Sequence, residues 1–286
     1  MTPALSPSRA SDFKQCPLLY RFRTVDRLAE PPSPAAARGT LVHAVLEELF
    51  ELPAHERTPE RAVQLVAPRW RALVELEPAL AELPAAEEDG DKRWLDQAGA
   101  LVRRWFELED PTRLEPAERE LYVEADVDGL VLRGYIDRLD VAPTGEVRIV
   151  DYKTGRCPDE RFEGKALFQL RFYALVLWRL RGAVPDLLQL VYLGDGRVLR
   201  YSPDEADLLA VERNIKAVWA AIERAARTGD WRPRTSTLCR WCDFQELCPE
   251  FGGTPPPLPI TAATLALEPS VAGATPSDRG ACVPTP

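Results

Sequence analysis

The sequence predicts an α/β fold, a mixed sheet flanked by helices, on three observations. Between 118 and 153 three segments, ERELYVEADV, LVLRGYIDRLDV and EVRIVDYK, alternate apolar and polar residues and are parted by short turns, so they read as strands. LLQLVYL and RVLRYS, joined through Gly194-Asp195-Gly196, read as a β-hairpin. Segments with an apolar stripe at helical spacing precede the strands, separate them at 163–181 and follow them at 203–228.

In chain order, residues 8–16 read as a short helix capped by Ser8 and stopped by Pro17. PPSPAAARG reads as a linker, and TLVHAVLEELFEL as a helix with Thr40 as its cap. PERAVQLVAPRWRALVEL and DKRWLDQAGALVRRWFELED are helices of an acidic insertion spanning about 44–116. From Thr254 the chain is rich in Pro, Ala and Thr and has little to bury, so 254–286 is expected to be a disordered tail behind a single domain of 1–253.

The 286 residues suffice for one proper core. The net charge of −9 argues at first against a nucleic-acid partner, but the acids concentrate between Ala44 and Asp128. Bases cluster instead at 9–27, 156–181 and 213–240, and binding follows local patches rather than whole-chain charge. No apolar run is long enough to span a bilayer, since ALFQLRFYALVLW is short and carries Arg171. With no secretory signal pattern in MTPALSPSRASDF, a cytoplasmic protein without membrane partners is expected.

The stretch VRIVDYKTG begins as a plain strand and ends in Asp151 and Lys153 on one face. By itself that is an ordinary ion pair at a strand end, worth little. The preceding strand carries Asp137, and Pro143-Thr144-Gly145 forms a hairpin loop with glycine at its left-handed position. A hairpin centred on Thr144 sets Asp137 opposite Asp151. Two carboxylates held so close stay ionised only with a positive group between them, and a hard divalent cation, Mg²⁺ or Mn²⁺, is the economical one. Lys153 would then stand beside the attacked group, placed to handle a proton or to neutralise developing charge. His43, with Glu47 one helical turn on, is a further candidate ligand. Gln169 and Tyr173 lie one turn apart on the helix after the Asp/Lys strand.

Four of the six cysteines form a second constellation. Cys239, Cys242 and Cys248 are spaced C-x2-C-x5-C, three ligands where a tetrahedral site needs four, and Cys16 can supply the last from the far end of the chain. Spacing alone admits zinc or a [4Fe–4S] cluster. Either would staple the two ends of the chain together. Cys157 and Cys282 are left over, and Cys157 has no paired histidine to make it a nucleophile.

Taken in order, GTLVH with His43, GYID with Asp137, DYK with Asp151 and Lys153, and QLRFY with Gln169 and Tyr173 resemble the RecB-type branch of the PD-(D/E)xK nuclease superfamily. The likeness covers most of residues 5–253, with Ile136 standing where the superfamily's name puts proline. The resemblance implies a restriction-endonuclease-like core. It implies metal ligation by His43, Asp137, Asp151 and the Tyr152 carbonyl, a catalytic role for Lys153, and support of the site or DNA contact by Gln169 and Tyr173. Iron–sulfur members, including the CRISPR-associated exonuclease, carry one N-terminal cysteine and a C-terminal trio, which favours [4Fe–4S] over zinc at Cys16, Cys239, Cys242 and Cys248.

The expected function is a metal-dependent DNA exonuclease in repair, recombination or end processing, acting on single-stranded DNA or duplex ends. The chain holds no G-x-x-x-x-G-K-[ST] loop and so no recognisable motor of its own; the resemblance implies DNA and a helicase or a CRISPR adaptation protein as partners. The rival reading is a non-catalytic iron–sulfur DNA-binding or assembly module, which has no reason to keep Asp137, Asp151 and Lys153 together. A hydrolase of another phosphate ester is the third.

Overall fold

The computed structural model describes residues 3–85, 90–159 and 163–259. The chain opens with strand β1 (Ala4–Leu5), helix α1 (Pro7–Gln15) and helix α2 (Pro17–Tyr20), which runs on into a π-helical turn, Arg21–Val25. Helix α3 (Pro34–Leu49) precedes α4 (Pro59–Leu76), the single turn α5 (Glu82–Ala85) and α6 (Gly90–Leu108). Strands β2 (Glu118–Val127), β3 (Leu130–Val141) and β4 (Val147–Lys153) follow. Helices α7 (Glu163–Ala166) and α8 (Phe168–Arg181) lead to β5 (Leu187–Tyr192), β6 (Arg197–Tyr201) and the long α9 (Glu205–Thr228).

Among the described residues the strands form one mixed six-stranded sheet. β2 pairs antiparallel along almost the whole of β3 and so occupies one of its edges. The other edge is shared: β1 runs parallel to it at Val131 and Leu132, and β4 antiparallel from Arg138 to Val141. Between those two stretches β3 has no strand neighbour on that side among the described residues. The β3–β4 register, Arg138↔Val150 to Val141↔Val147, is the one centred on Thr144, and Gly145 has the expected positive φ of 101°. β4 then pairs parallel with β5 across the α8 connection, and β5 with β6 as the predicted hairpin.

Two apolar layers sandwich the sheet. One face packs on α1, α2, α8 and α9 through Val123, Leu132, Ile136, Leu139 and Ile149. The other packs on α3, α4 and α6 through Val150, Tyr152 and Val191. Along α3 the buried residues Ala37, Leu41, Val42, Val45, Leu46 and Leu49 follow helical spacing, which seats that helix against β4.

The helix starts differ from the sequence expectation. Ser6, not Ser8, caps α1 by accepting the Arg9 amide, and Pro17 opens α2 rather than ending the structure, because proline suits the first helical position. PPSPAAARG is not all linker: α3 begins at Pro34, capped by Ser33, and Thr40 lies inside it with its hydroxyl donating to the Ala36 carbonyl at 3.2 Å. The alanine run favours helix strongly enough to extend it upstream. The helix expected at 163–181 is broken at Leu167. Strand β1, two residues long, carries no periodicity to predict it.

After Gly253, residues 254–259 have neither helix nor strand, and the Pro256 carbonyl accepts from buried Arg21. Residues 260–286, most of the expected tail and Cys282 with it, lie outside the described residues. No helix among the described residues is long and apolar enough to cross a membrane.

Candidate active site

The site forms where β3 and β4 separate. Continued one step, the ladder would pair Asp137 with Asp151, as the hairpin arithmetic predicts, but it ends at Arg138↔Val150. Tyr152, the next residue of β4 with backbone groups facing β3, therefore has no strand partner there. Its N–H donates to Asp137 Oδ2 at 2.8 Å instead, and its carbonyl oxygen lies 2.9 Å from His43 Nε2. A side chain from β3 and one from α3 thus replace the missing ladder bonds.

The other ring nitrogen of His43 faces acids. Nδ1 is 3.5 Å from Asp137 Oδ2 and 3.8 Å from Glu120 Oε1. His43, Glu120 and Asp137 offer ligand atoms that all lie within 4.8 Å of one another, and Glu47 lines the same small cavity. Glu120 was not foreseen. It sits on β2 between Leu121↔Ile136 and Arg119↔Arg138, opposite Asp137, with a positive φ of 43°. That backbone region is uncommon for a residue with a side chain and marks a local distortion. The signal available in the sequence was Asp128-Gly129: both have positive φ, as a two-residue hairpin turn requires, and counting back from that turn pairs Glu120 with Asp137.

Asp151 is 1% exposed, and neither of its carboxylate oxygens has a hydrogen bond. It stands in an ion pair with Lys153 Nζ at 2.6 Å. Lys153 was expected beside the reacting group; it is also the positive charge that a buried carboxylate needs. Lys153 donates in turn to Gln169 Oε1 at 2.9 Å, and Gln169 Nε2 to the Tyr173 hydroxyl at 3.3 Å. Tyr173 closes the unpaired edge of β3. A Cβ at Gly134 would lie 2.6 Å from the tyrosine ring, so only glycine permits this approach.

Electrostatics agree with the crowding of acids. Burial and then the Asp151 charge push Asp137 up to about 7. Burial would lower the His43 imidazole, yet Asp137, Glu120 and Asp151 together raise it to about 9. Burial, reinforced by Glu120, also raises Glu47. Behind the site, buried Arg138 ion-pairs Glu109 at 2.7 Å and donates to the Tyr152 hydroxyl, and Glu109 accepts from Trp105 and Gln189 as well. This network holds the Tyr152 ring on the same face of the sheet that α3 covers, Arg138 lining the cavity that His43 also lines.

All seven residues singled out in the sequence thus meet at one fork. Their chemistry fits a hard divalent cation: several carboxylates, a carbonyl and an imidazole converge, and Asp151 Oδ1 has no hydrogen bond while Oδ2 meets only the Lys153 ammonium. The tight group is His43, Glu120 and Asp137, with Asp151 turned to Lys153.

Outside the fork, Cys16, Cys239, Cys242 and Cys248 line one cavity of ≈ 40 Å³. The Arg234 amide donates to Cys16 Sγ at 3.4 Å and the Ser236 amide to Cys239 Sγ at 3.3 Å. Backbone hydrogen bonds from Phe244 and Glu250 reach Cys242 and Cys248. Among the described residues no three of these sulfurs lie within 4.8 Å of one another. Cys157 lies apart, its amide donating to Asp195.

Two phage proteins are similar along nearly their full length. The Gene 69 protein of Mycobacterium phage D29 is 27% identical over 277 residues, covering 87% of this chain and 97% of that protein. The Gene 69 protein of Mycobacterium phage L5 is 22% identical over 290 residues, covering 88% and 98%. A crystal structure from Eubacterium rectale, provisionally named an exonuclease, superposes with a TM-score of 0.58 at 16% identity, covering 92% of this chain and 93% of that one, a likeness of fold. The sequence profile of the PD-(D/E)XK nuclease superfamily matches residues 4–249, which span the sheet, the fork and the cysteine segment. With its mixed, restriction-endonuclease-like sheet and that match over most of its length, the chain belongs to the PD-(D/E)XK nuclease superfamily.

Proposed function

We propose that the protein is a metal-dependent DNA exonuclease of the RecB type. The observation that carries this reading is the meeting of Asp137, Asp151 and Lys153 where β3 and β4 part, with His43 and the Tyr152 carbonyl facing the same point. His43, Glu120, Asp137, Asp151 and the Tyr152 carbonyl would hold Mg²⁺ or Mn²⁺. A cation held there supplies Lewis acidity and charge neutralisation at the scissile phosphodiester.

The chain's own residues do the rest. Lys153, its ammonium aimed by Gln169, stabilises the negative charge that grows on the phosphate oxygens as water attacks. Tyr173 fixes Gln169 and so the direction of Lys153. Arg138 and Glu109 keep Tyr152 in place, which keeps its carbonyl directed at His43.

Cys16, Cys239, Cys242 and Cys248 would hold a [4Fe–4S] cluster that ties α1 to the C-terminal segment. The preference over zinc comes from the resemblance to iron–sulfur exonucleases; each sulfur accepts a backbone N–H, which would support thiolate ligands of either centre. We further assign the activity to end processing in DNA repair or recombination, in the cytoplasm and beside a helicase or a CRISPR adaptation protein, as the resemblance to iron–sulfur exonucleases implies.

The test is one assay. End-labelled single-stranded and duplex DNA are incubated with the purified protein in Mg²⁺, Mn²⁺ or chelator. Release of short products from an end, only with metal, is the expected result. No release from either substrate would point to the non-catalytic module instead.

A further inference from the structure

On the face of β2 and β3 opposite their buried apolar residues, two tyrosines are exposed side by side. Tyr122 and Tyr135 are directly opposed in the β2–β3 ladder, their ring centroids 5.2 Å apart at 56°. They are 45% and 50% exposed, an unusual position for two large rings when Val123, Ala125, Leu132 and Ile136 of the same strands are buried on the opposite face. Two residues further along each strand, roughly 7 Å away, come Glu120 and Asp137 of the candidate metal site. The tyrosine pair is thus the next outward-facing rung of the same ladder.

Cations lie on this flank. Arg133, two residues before Tyr135, hydrogen-bonds the Tyr122 hydroxyl, while Glu124 accepts from that hydroxyl and holds the ring. Burial lowers Arg9, and the charges of Arg133 and Arg27 add to that lowering, which puts three arginines near one another. Of the basic residues of 9–27, Arg9 is thus brought to Arg133 of β3, the residue that hydrogen-bonds Tyr122, with Arg27 close to Arg9.

We propose that Tyr122 and Tyr135 form a base-stacking platform for single-stranded DNA, receiving the nucleotide next to the scissile phosphate while the arginines follow the backbone. Every base has a face to stack, so the platform is indifferent to sequence, but only an unpaired base can leave its own stack to use it. It makes the enzyme prefer a frayed or single-stranded end and holds that end in register with Asp137. The proposal rests on the nuclease reading above and adds the form of substrate that the site takes.

The test uses the full chain with fluorescein-labelled single-stranded and blunt duplex oligonucleotides. Anisotropy is read in chelator, and steady-state cleavage in Mg²⁺. Tyr122→Leu with Tyr135→Leu should weaken single-strand binding by on the order of 10-fold or more and raise KM with kcat retained. Tyr122→Phe with Tyr135→Phe keeps the rings and should bind as the wild type does, and duplex binding should change little in either. If the leucine pair loses its melting transition, Tyr135→Ser alone is read the same way. A wild type that cleaves DNA, beside a leucine pair with unchanged single-strand affinity and KM, overturns the platform alone. So does equal loss on both substrates, or a shift from dimer to monomer on a sizing column, which would make the rings a contact between copies. A wild type that neither binds nor cleaves DNA overturns the nuclease reading together with the platform.

Discussion

The Asp137 carboxylate accepts the Tyr152 backbone N–H at 2.8 Å, just beyond the last backbone pair of β3 and β4, Arg138↔Val150. The same contact closes the ladder and brings the acid to the fork of the candidate site. Asp137→Asn, which keeps an acceptor oxygen, should leave the fold intact and abolish metal-dependent cleavage. Lys153→Ala should lower kcat by on the order of 10²–10³-fold, the cost of removing one preorganised charge partner. Both should still bind DNA in a filter or anisotropy assay, and undiminished cleavage by either would contradict the assignment.

Gln169 is expected to act through Lys153. Gln169→Leu removes the acceptor 2.9 Å from the ammonium and should reduce kcat by about 10-fold with KM unchanged. Gln169→Glu retains an acceptor and should recover much of the rate. A change confined to KM would show that Gln169 touches DNA rather than aiming the lysine.

Arg138 is 1% exposed and ion-paired to buried Glu109. Arg138→Met should destabilise the protein by about 3–5 kcal/mol, because it strands the Glu109 charge. The double variant Arg138→Met with Glu109→Gln should recover part of that loss in urea unfolding. A double variant as unstable as the single one would show that packing on Tyr152, not charge, is what Arg138 supplies.

The site acids and His43 make stability depend on pH. Burial and the Asp151 charge raise Asp137 from its ordinary 3.8 to about 7 on folding, and against burial the surrounding acids raise His43 from 6.5 to about 9. In both cases the folded state binds more protons than the unfolded one, so stability falls as pH rises across the range from about 4 to 9. A divalent cation competes with those protons. Scanning fluorimetry should show Mg²⁺ raising Tm over the chelator sample more at pH 9 than at pH 6. A shift that is constant with pH would contradict this ligand set.

For the cysteines, protein purified without oxygen should be brown, and Cys242→Ser should be colourless with a lower Tm. A colourless wild type carrying zinc would overturn the iron–sulfur reading. Loss of colour without loss of Tm would mean the cluster does not tie the chain ends.

Much of this site was legible because its key relation is local. The β3–β4 hairpin follows from Gly145 and the strand alternation, and its register is a matter of counting from Thr144. Gln169 and Tyr173 are likewise a local pair, one helical turn apart. Other parts needed partners distant in the chain. Nothing near His43 in sequence says that its ring will take the Tyr152 carbonyl 109 residues on, since that depends on how α3 seats against β4. Glu120 could be reached only by counting from a turn that the strand pattern alone does not single out.

By itself, then, the sequence determined strands β2 to β6, the β3–β4 register centred on Thr144 and the ordered motif set, because hairpin register and helical spacing are short-range properties of the backbone. Tertiary structure alone decided that β1 and β4 share one edge of β3 and leave a gap between them. It decided too that His43 and Asp137 satisfy Tyr152 across that gap, that Glu120 joins them, and that Tyr122 and Tyr135 stay in solvent beside them. The physical reason is one of accounting: a strand that loses its neighbour must find other partners for its N–H and C=O groups, and only the packed fold says which side chains are within reach.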